Sequence, residues 1–421
     1  MSKNMANTFG AGSAHRDIAL YAMEALLKSG AGKAACKITR GRKDEFNVEA
    51  GDFSLMRTLF SDSLSLKALI DNRKGVTVIN KLDRESIDQA VADCIALAGA
   101  ASPDEAEDIA AKAENKNFDQ RTGGADMDAL FSRTKDFVEQ VRDEFPKIVL
   151  EGASSEFNSA RTCYVNSNGV EFGADAEYYN ISSMFSAKDG EKSSSFNGYG
   201  ATLSSLAAPF MDLQMHRQLL EESVRSLDAR MVDGKFVGKV IVTPACDDMI
   251  WGTLLHCFLN DVALVTGTSR WKDALGTKVA DSILTMRAAP LHESVVAGER
   301  FTSDGYESAD TDFIRDGMLT SFALSLYGAN KTGKPRAGNT AFGNIEVAPG
   351  NTPLAEMIKG VDRGILLNRF SGASPGPSGD VSGVAKNSFL IENAVKTALR
   401  NCGKMIPWQV VTISIDGNII A

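Results

Sequence analysis

Four histidines, at positions 15, 216, 256 and 292, bound the metal chemistry open to this 421-residue chain. No two lie within helical reach of each other. The HExxH arrangement, two imidazoles on one helix face beside a glutamate that deprotonates metal-bound water, is therefore absent. His292-Glu293 offers half of such a pattern, but Pro290 favours a loop or strand there. His256-Cys257 has the residue types of a thiol nucleophile and its base. Adjacent helix residues point about 100° apart and cannot readily share a hydrogen bond, so a thiol packed between Leu255 and Phe258 is the simpler reading. Isolated serines do not define a triad, which is recognised by geometry. No GxxxxGK[ST] loop occurs and no GxGxxG opens a helix after a strand, so nucleotide binding has no support. The run Gly372 to Gly379 is rich in glycine and also in proline, which suits a loop passing close to another backbone better than a phosphate cradle.

The elements that must position these residues fall into three modules, an α+β arrangement. In the first, residues 1–100, apolar residues at helical spacing from Arg16 to Lys28 predict a helix closed by Gly30. Extended segments follow at Ala34–Arg40, Glu45–Ala50, Ser63–Asp71 and Gly75–Asn80, and Asp83 caps a helix to about Ala98. Between Ala100 and Asn117, Ser102-Pro103 opens a short exposed helix and linker. The middle module, 101–235, has a helix from Met127 to Phe145, a meander of strands with turns at Asn166–Gly169 and Lys188–Gly190, and a long helix from Asp212 to Ala229. The third, 236–421, starts with a buried strand from Gly238 to Thr243 and a helix running through about Val262 that contains His256. Glycine- and proline-punctuated short strands then predict a β-rich domain.

The net charge of −9 argues against non-specific attraction to nucleic acid or anionic lipid, which needs a clustered positive field. No apolar run approaches the roughly 20 residues of a membrane span, and Met1 to Gly12 lacks the order of a signal peptide. The expectation is a cytoplasmic protein with no nucleic-acid or membrane partner. Six cysteines, at 36, 94, 163, 246, 257 and 402, are scattered without a CxxC pair, as reduced, buried thiols would be.

From Lys239 onward the chain resembles the TldD/PmbA family, also called modulators of DNA gyrase. The blocks that carry the resemblance are Val240–Pro244 with the helix to Asp261, Phe301–Gly305, Ile314–Leu319, Ala337–Thr340, Ser378–Gly383 and Phe389–Asn393. In the TldD branch that helix holds HExxxH, two zinc-binding histidines and a general-base glutamate, with a further cysteine ligand near the C-terminus. Set on Leu254-Leu255-His256, the motif is degenerate here: Cys257 stands at the glutamate and Asp261 at the second histidine. A thiol is a poor substitute for the carboxylate that takes a proton from zinc-bound water. Residues five apart on an undistorted helix also lie roughly 140° around its axis, so His256, Asp261 and Cys402 need a special local geometry to share a metal. The pattern is similar to the PmbA (TldE) branch. This implies a chain with no catalytic residue, cofactor or metal of its own, joined in a heterodimer to a TldD-type subunit that supplies zinc, or in a homodimer when that partner is absent. The implied substrates are unfolded or precursor peptides. Phe301, Asp304, Gly305, Gly379, Asp380 and Ser382 are the residues expected to line the cleft. Two other readings compete: an active enzyme using His256, Asp261 and Cys402 or the Cys257 thiol, and a regulator acting on gyrase through protein contacts.

Overall fold

Two long hairpins, laid edge to edge, organise the first half of the chain. The computed structural model describes residues 14–229, 236–246, 248–372, 375–376, 379–393, 395–398 and 406–409. After helix α1 (Ala14–Lys28), strands β1 (Lys33–Glu49) and β2 (Asp52–Ile70) turn at Ala50-Gly51, where both residues take positive φ. Both strands run through the stretches that sequence patterning left out of them, 41–44 and 52–62. The charges that hid this are neutralised between strands, Arg40 on Asp62 at 2.6 Å and Arg57 on Glu45, so the polar run costs the ladder nothing. Strand β3 (Arg73–Ile79) and helix α2 (Arg84–Ala100), capped by Asp83, complete this unit.

Residues 101–115 carry no helix, contrary to expectation. Ala106, Glu107, Ile109 and Ala110 are buried, and Lys67 and Lys74 both reach Glu107. Pro103 and these ion pairs draw the backbone flat against its neighbours instead of letting it coil in solvent. Strand β4 (Lys116–Gln120) and helix α3 (Met127–Glu144) lead to the second hairpin, β5 (Ile148–Asn166) and β6 (Glu171–Asp189). Its turn forms at the predicted Asn166–Gly169: Asn166 Oδ1 accepts the N–H groups of Asn168 and Val170 while Gly169 takes φ +90°. The short β7 (Lys192–Ser193) and β8 (Asn197–Leu203) flank β6.

The sheet order is β3-β2-β1-β5-β6-β4, and β1 pairs with β5 from Ala35↔Asn166 to Glu49↔Gly152. The two upstream modules therefore share one sheet, and the linker near residue 100 divides the chain without dividing the sheet. Helices cover one face only. α1 and α2 pack on Cys36, Ile38, Leu64 and Leu66, while α3 and α4 (His216–Arg225) pack on Phe46, Val48, Phe157 and Ile181. Between these two cores the same face carries the charged row Asp62, Arg40, Arg161, Asp175. The opposite face alternates with it: Ser63, Thr39, Thr162 and Ala174 form one row, Ser61, Gly41, Ala160 and Ala176 the next, then Lys43, Asn158 and Tyr178.

The helix predicted from Asp212 to Ala229 is shorter, with 3₁₀ turns at Phe210–Asp212 and Ser226–Asp228 on either side of α4. His216 anchors the start of α4. Its ring stacks between Phe137 and Tyr199, at 4.5 and 4.4 Å, donates from Nδ1 to the Phe210 carbonyl and accepts the Ser183 hydroxyl at Nε2, each at 2.8 Å.

The second half starts with β9 (Lys239–Val242), α5 (Asp248–Leu254) and α6 (Asp261–Val265). Strands β10 (Met286–Ala288), β11 (Thr311–Arg315) and β12 (Met318–Leu319), helix α7 (Leu326–Thr332), strand β13 (Ile345–Val347) and helix α8 (Leu354–Lys359) follow. The described chain ends in β14 (Arg363–Leu367), β15 (Arg369–Gly372), β16 (Asp380–Lys386), β17 (Phe389–Glu392), β18 (Val395–Ala398) and β19 (Ile406–Gln409). They form the small sheets β12-β11-β10-β13, β18-β17-β14-β9 and β15-β16-β19, as the turn-rich sequence predicts. Among the described residues no helix is long and apolar enough to cross a membrane.

Burial pushes the His216 pKa down to about 4 from its ordinary 6.5. The unfolded chain therefore binds a proton that the folded ring refuses between these values, and stability falls as pH drops from about 6.5 toward 4. Replacing His216 with Gln should cost about 1–3 kcal/mol at pH 7 through lost buried hydrogen bonds. Urea unfolding across this range should show the gap between the two proteins shrinking as the pH falls; a constant gap would refute the assignment.

Candidate functional site

The helix that follows β9 does not run unbroken to Val262. After α5 the backbone widens into a π turn, Leu255–Leu259, closed by Asn260 N–H donating to the Leu255 carbonyl at 2.9 Å. Asn260 then leaves the helix in an extended conformation, bridges to Ala323 and caps α6 through Ala263 N–H at 3.0 Å. One helix thus becomes two, and the three degenerate motif positions separate.

His256 stays exposed, with Nδ1 3.4 Å from the Asn260 side-chain amide. Cys257 turns inward: 4% exposed, its Sγ donates to the Gly376 carbonyl at 3.4 Å, and burial raises its pKa above that of an ordinary thiol. This is the reverse of what a thiol nucleophile needs. Asp261 points a third way, toward the start of α7, where it accepts the Ser325 N–H at 2.9 Å and the Ser325 hydroxyl. Gly328, a turn further on, leaves the room, since a methyl group there would overlap the Asp261 carboxylate.

These donors do not fit a zinc ion. Asp261 is committed to Ser325, the Cys257 thiol is held protonated in the core, and His256 alone is no site. Among the described residues no group of three or more His, Cys, Asp or Glu side chains could hold a metal; Cys402 lies outside them.

Phe301, Asp304 and Gly305, expected along a cleft, instead fasten the second half of the chain to the large sheet. Phe301 is buried against Phe118, Tyr164 and Phe172, whose strands leave this corner of the otherwise small-residue face apolar. Gly305 takes φ +91° with the Tyr164 ring where a Cβ would stand. Asp304 accepts the Leu326 N–H at 2.7 Å. Asp261 and Asp304 therefore bind successive N–H groups at the entry to α7. Further along, Lys331 and Tyr327 hold Asp104, and Asn330 donates to the Ala106 carbonyl at 3.0 Å.

Gly379 is buried, takes φ +82° and closes the Gly376 turn that covers Cys257. Asp380 and Ser382 lie on β16 opposite Gln409 and Pro407, and only their strand placement is described. Sequence reasoning missed Ser325 and Gly328. Their signal was present as a serine cap followed three residues later by glycine.

Fold and helix together set the molecule beside the PmbA/TldD family, whose PmbA/TldE-type members it is similar to over most of its length. Residues 236–402 match the PmbA/TldA metallopeptidase C-terminal domain. The Metalloprotease PmbA of Escherichia coli O157:H7 is 23% identical over 424 residues, spanning 96% of this chain and 90% of that one. A Metalloprotease PmbA homolog of Haemophilus influenzae is 22% identical over 390 residues, 90% of this chain and 85% of its own length. The fold is that of TldE from Thermococcus kodakarensis, with TM-score 0.78, 19% identity and 94% and 92% of the two chains covered. A putative modulator of DNA gyrase from Bacteroides thetaiotaomicron superposes with TM-score 0.76 at 21% identity, covering 94% and 91%.

If Asp261 latches α7, Asp261→Ala should cost about 1–3 kcal/mol by leaving the Ser325 N–H unpaired. Ser325→Ala should cost less, and adding it to Asp261→Ala should cost little more, because the two share one contact. Additive losses in urea unfolding would show that the pair is not coupled.

Proposed function

We propose that this chain is the non-catalytic, PmbA/TldE-like subunit of a TldD/TldE-type zinc metallopeptidase that cleaves unfolded or precursor peptides. It shapes the substrate cleft, and a TldD-type partner supplies the zinc. The observation that carries this reading is the parting of His256, Cys257 and Asp261: the position of a general base holds a buried thiol, and the position of a second zinc ligand holds a carboxylate engaged with Ser325. The names of the relatives add support for peptidase association.

The wide sheet face of Ser, Thr, Ala, Gly and Asn side chains supports the wall-building part of the reading. An extended peptide is usually held through its backbone, by addition to a strand edge, with side-chain pockets adding selectivity. A subunit that contributes surface and no reacting group needs such shape more than it needs chemistry. Phe301 and Gly305 then act at the margin of the wall, fixing the C-terminal domain at one end of that face.

The test is metal analysis and cleavage of an unfolded casein-type substrate by the purified chain, alone and with a TldD-type subunit bearing intact HExxxH. We expect no stoichiometric zinc and no cleavage by this chain alone, and cleavage when the two are combined. In the combined complex Cys257→Ala should leave the rate within about twofold, since a buried thiol takes no part in the proton transfer. Zinc-dependent cleavage by this chain alone would overturn the reading.

A further inference from the structure

Strand β2 is covered along only part of its outer edge. β3 pairs with it from Leu64 to Ile70, and among the described residues no strand lies outside Asp52–Ser63. Every residue from Asp52 to Ser61 is exposed, yet the segment contains Phe53, Leu55, Met56, Leu59 and Phe60; Met56 and Phe60 are 75% and 77% exposed. Proteins guard free edges with lysine, proline or a short strand. This segment has neither lysine nor proline and runs about twelve residues. Its one cation, Arg57, is drawn back onto Glu45. Phe53 stacks on Phe131 of α3 at 4.8 Å, extending the apolar surface toward the helices.

The edge is also self-complementary. A two-fold axis normal to the sheet and centred on Thr58 sets Met56 opposite Phe60 of a second copy, and Phe60 opposite Met56, so the two most exposed apolar residues meet twice on one face. The same register opposes Leu55 to Ser61, Arg57 to Leu59 and Ser54 to Asp62, with no like charges facing. Neighbouring registers are worse. Centring on Arg57 sets Arg57 against itself and Asp52 against Asp62; centring on Leu59 sets Asp62 against Met56 and runs the added strand into the place of β3. The favoured register fills the uncovered stretch and stops where β3 begins.

We propose that the Asp52–Ser63 edge pairs antiparallel with the same edge of a second copy of this chain, joining two large sheets into one through an isologous contact centred on Thr58. This pairing does not rest on the TldD-type association proposed above, and its test uses this chain alone. Light scattering of the full chain at tens of micromolar should report a dimer. Met56→Lys with Phe60→Lys sets like charges opposite each other twice and should weaken association at least about a hundredfold, giving a monomer. Met56→Lys with Phe60→Glu sets opposite charges in the same places and should restore the dimer. A Thr58→Cys variant, otherwise native, should cross-link to its own copy with a short bis-maleimide, because facing residues in this register have Cβ atoms about 5 Å apart. Thermal unfolding of each variant reads folding independently. A monomeric native chain, a dimer that survives the double lysine change, or a Thr58→Cys variant that fails to cross-link while dimeric would each overturn the proposal.

Discussion

The ladder between β1 and β5 is the constraint on which the rest of the molecule depends. It joins two hairpins that would otherwise belong to separate small sheets, β3-β2-β1 and β5-β6-β4. Once they are joined, the period of two in each strand assigns every side chain to one of two faces. All the large apolar residues of β1 beyond Ala35 fall on the same face, and the helices gather there. The other face is left to small and polar residues except for Leu55, Leu59 and Tyr178 and the corner where Phe301 docks. The position of the second half of the chain thus follows from the few rows where Ala35, Leu69, Tyr164 and Phe172 break the polar pattern.

Helix α7 fixes the remaining freedom. Asp261 arrives from the metal-motif helix, Asp304 from the docking loop, and the segment at Asp104 from the link between modules. Carboxylates at successive N–H groups of a helix entry satisfy donors that have no partner within the helix. Asp261 is thus one of three carboxylates that converge on α7 from different parts of the chain.

Much of this was legible in the sequence. The helices starting near Arg16, Asp83 and Met127 show apolar periodicity and caps, and the Asn166–Gly169 turn has chemistry that allows few alternatives. The β-rich character of the third module followed from its turn residues. What could not be read depended on partners distant in the chain. The charged stretch 41–44 and the mixed stretch 52–62 look like loop until their pairing with each other, with Arg40 on Asp62 and Arg57 on Glu45, is known. Residues 101–115 look like an exposed helix until Lys67, Lys74 and Lys331 are seen to hold them. The π turn leaves no local mark between Leu254 and Asp261, and the bond it goes with, from Ser325 to the Asp261 carboxylate, joins residues sixty-four apart. Phe301 and Gly305 were recognisable as special, but the face they serve could only be assigned once Tyr164 was found against them.

The rows of Ser, Thr, Ala and Gly across the open sheet face bear on how much such a surface can discriminate. Side chains this short form no deep pockets, and the hydroxyls of Thr39 and Thr162 already lie 3.2 Å apart, partly satisfying each other. Beyond them the same face rises into larger groups, Leu59, Lys43 and Tyr178 in one row and the ion-paired Arg57, Glu45 and Glu156 in the next. The face is therefore graded: smooth and without purchase over its Ser, Thr, Ala and Gly rows, and charged toward the hairpin tips, so whatever grip it offers lies at that end.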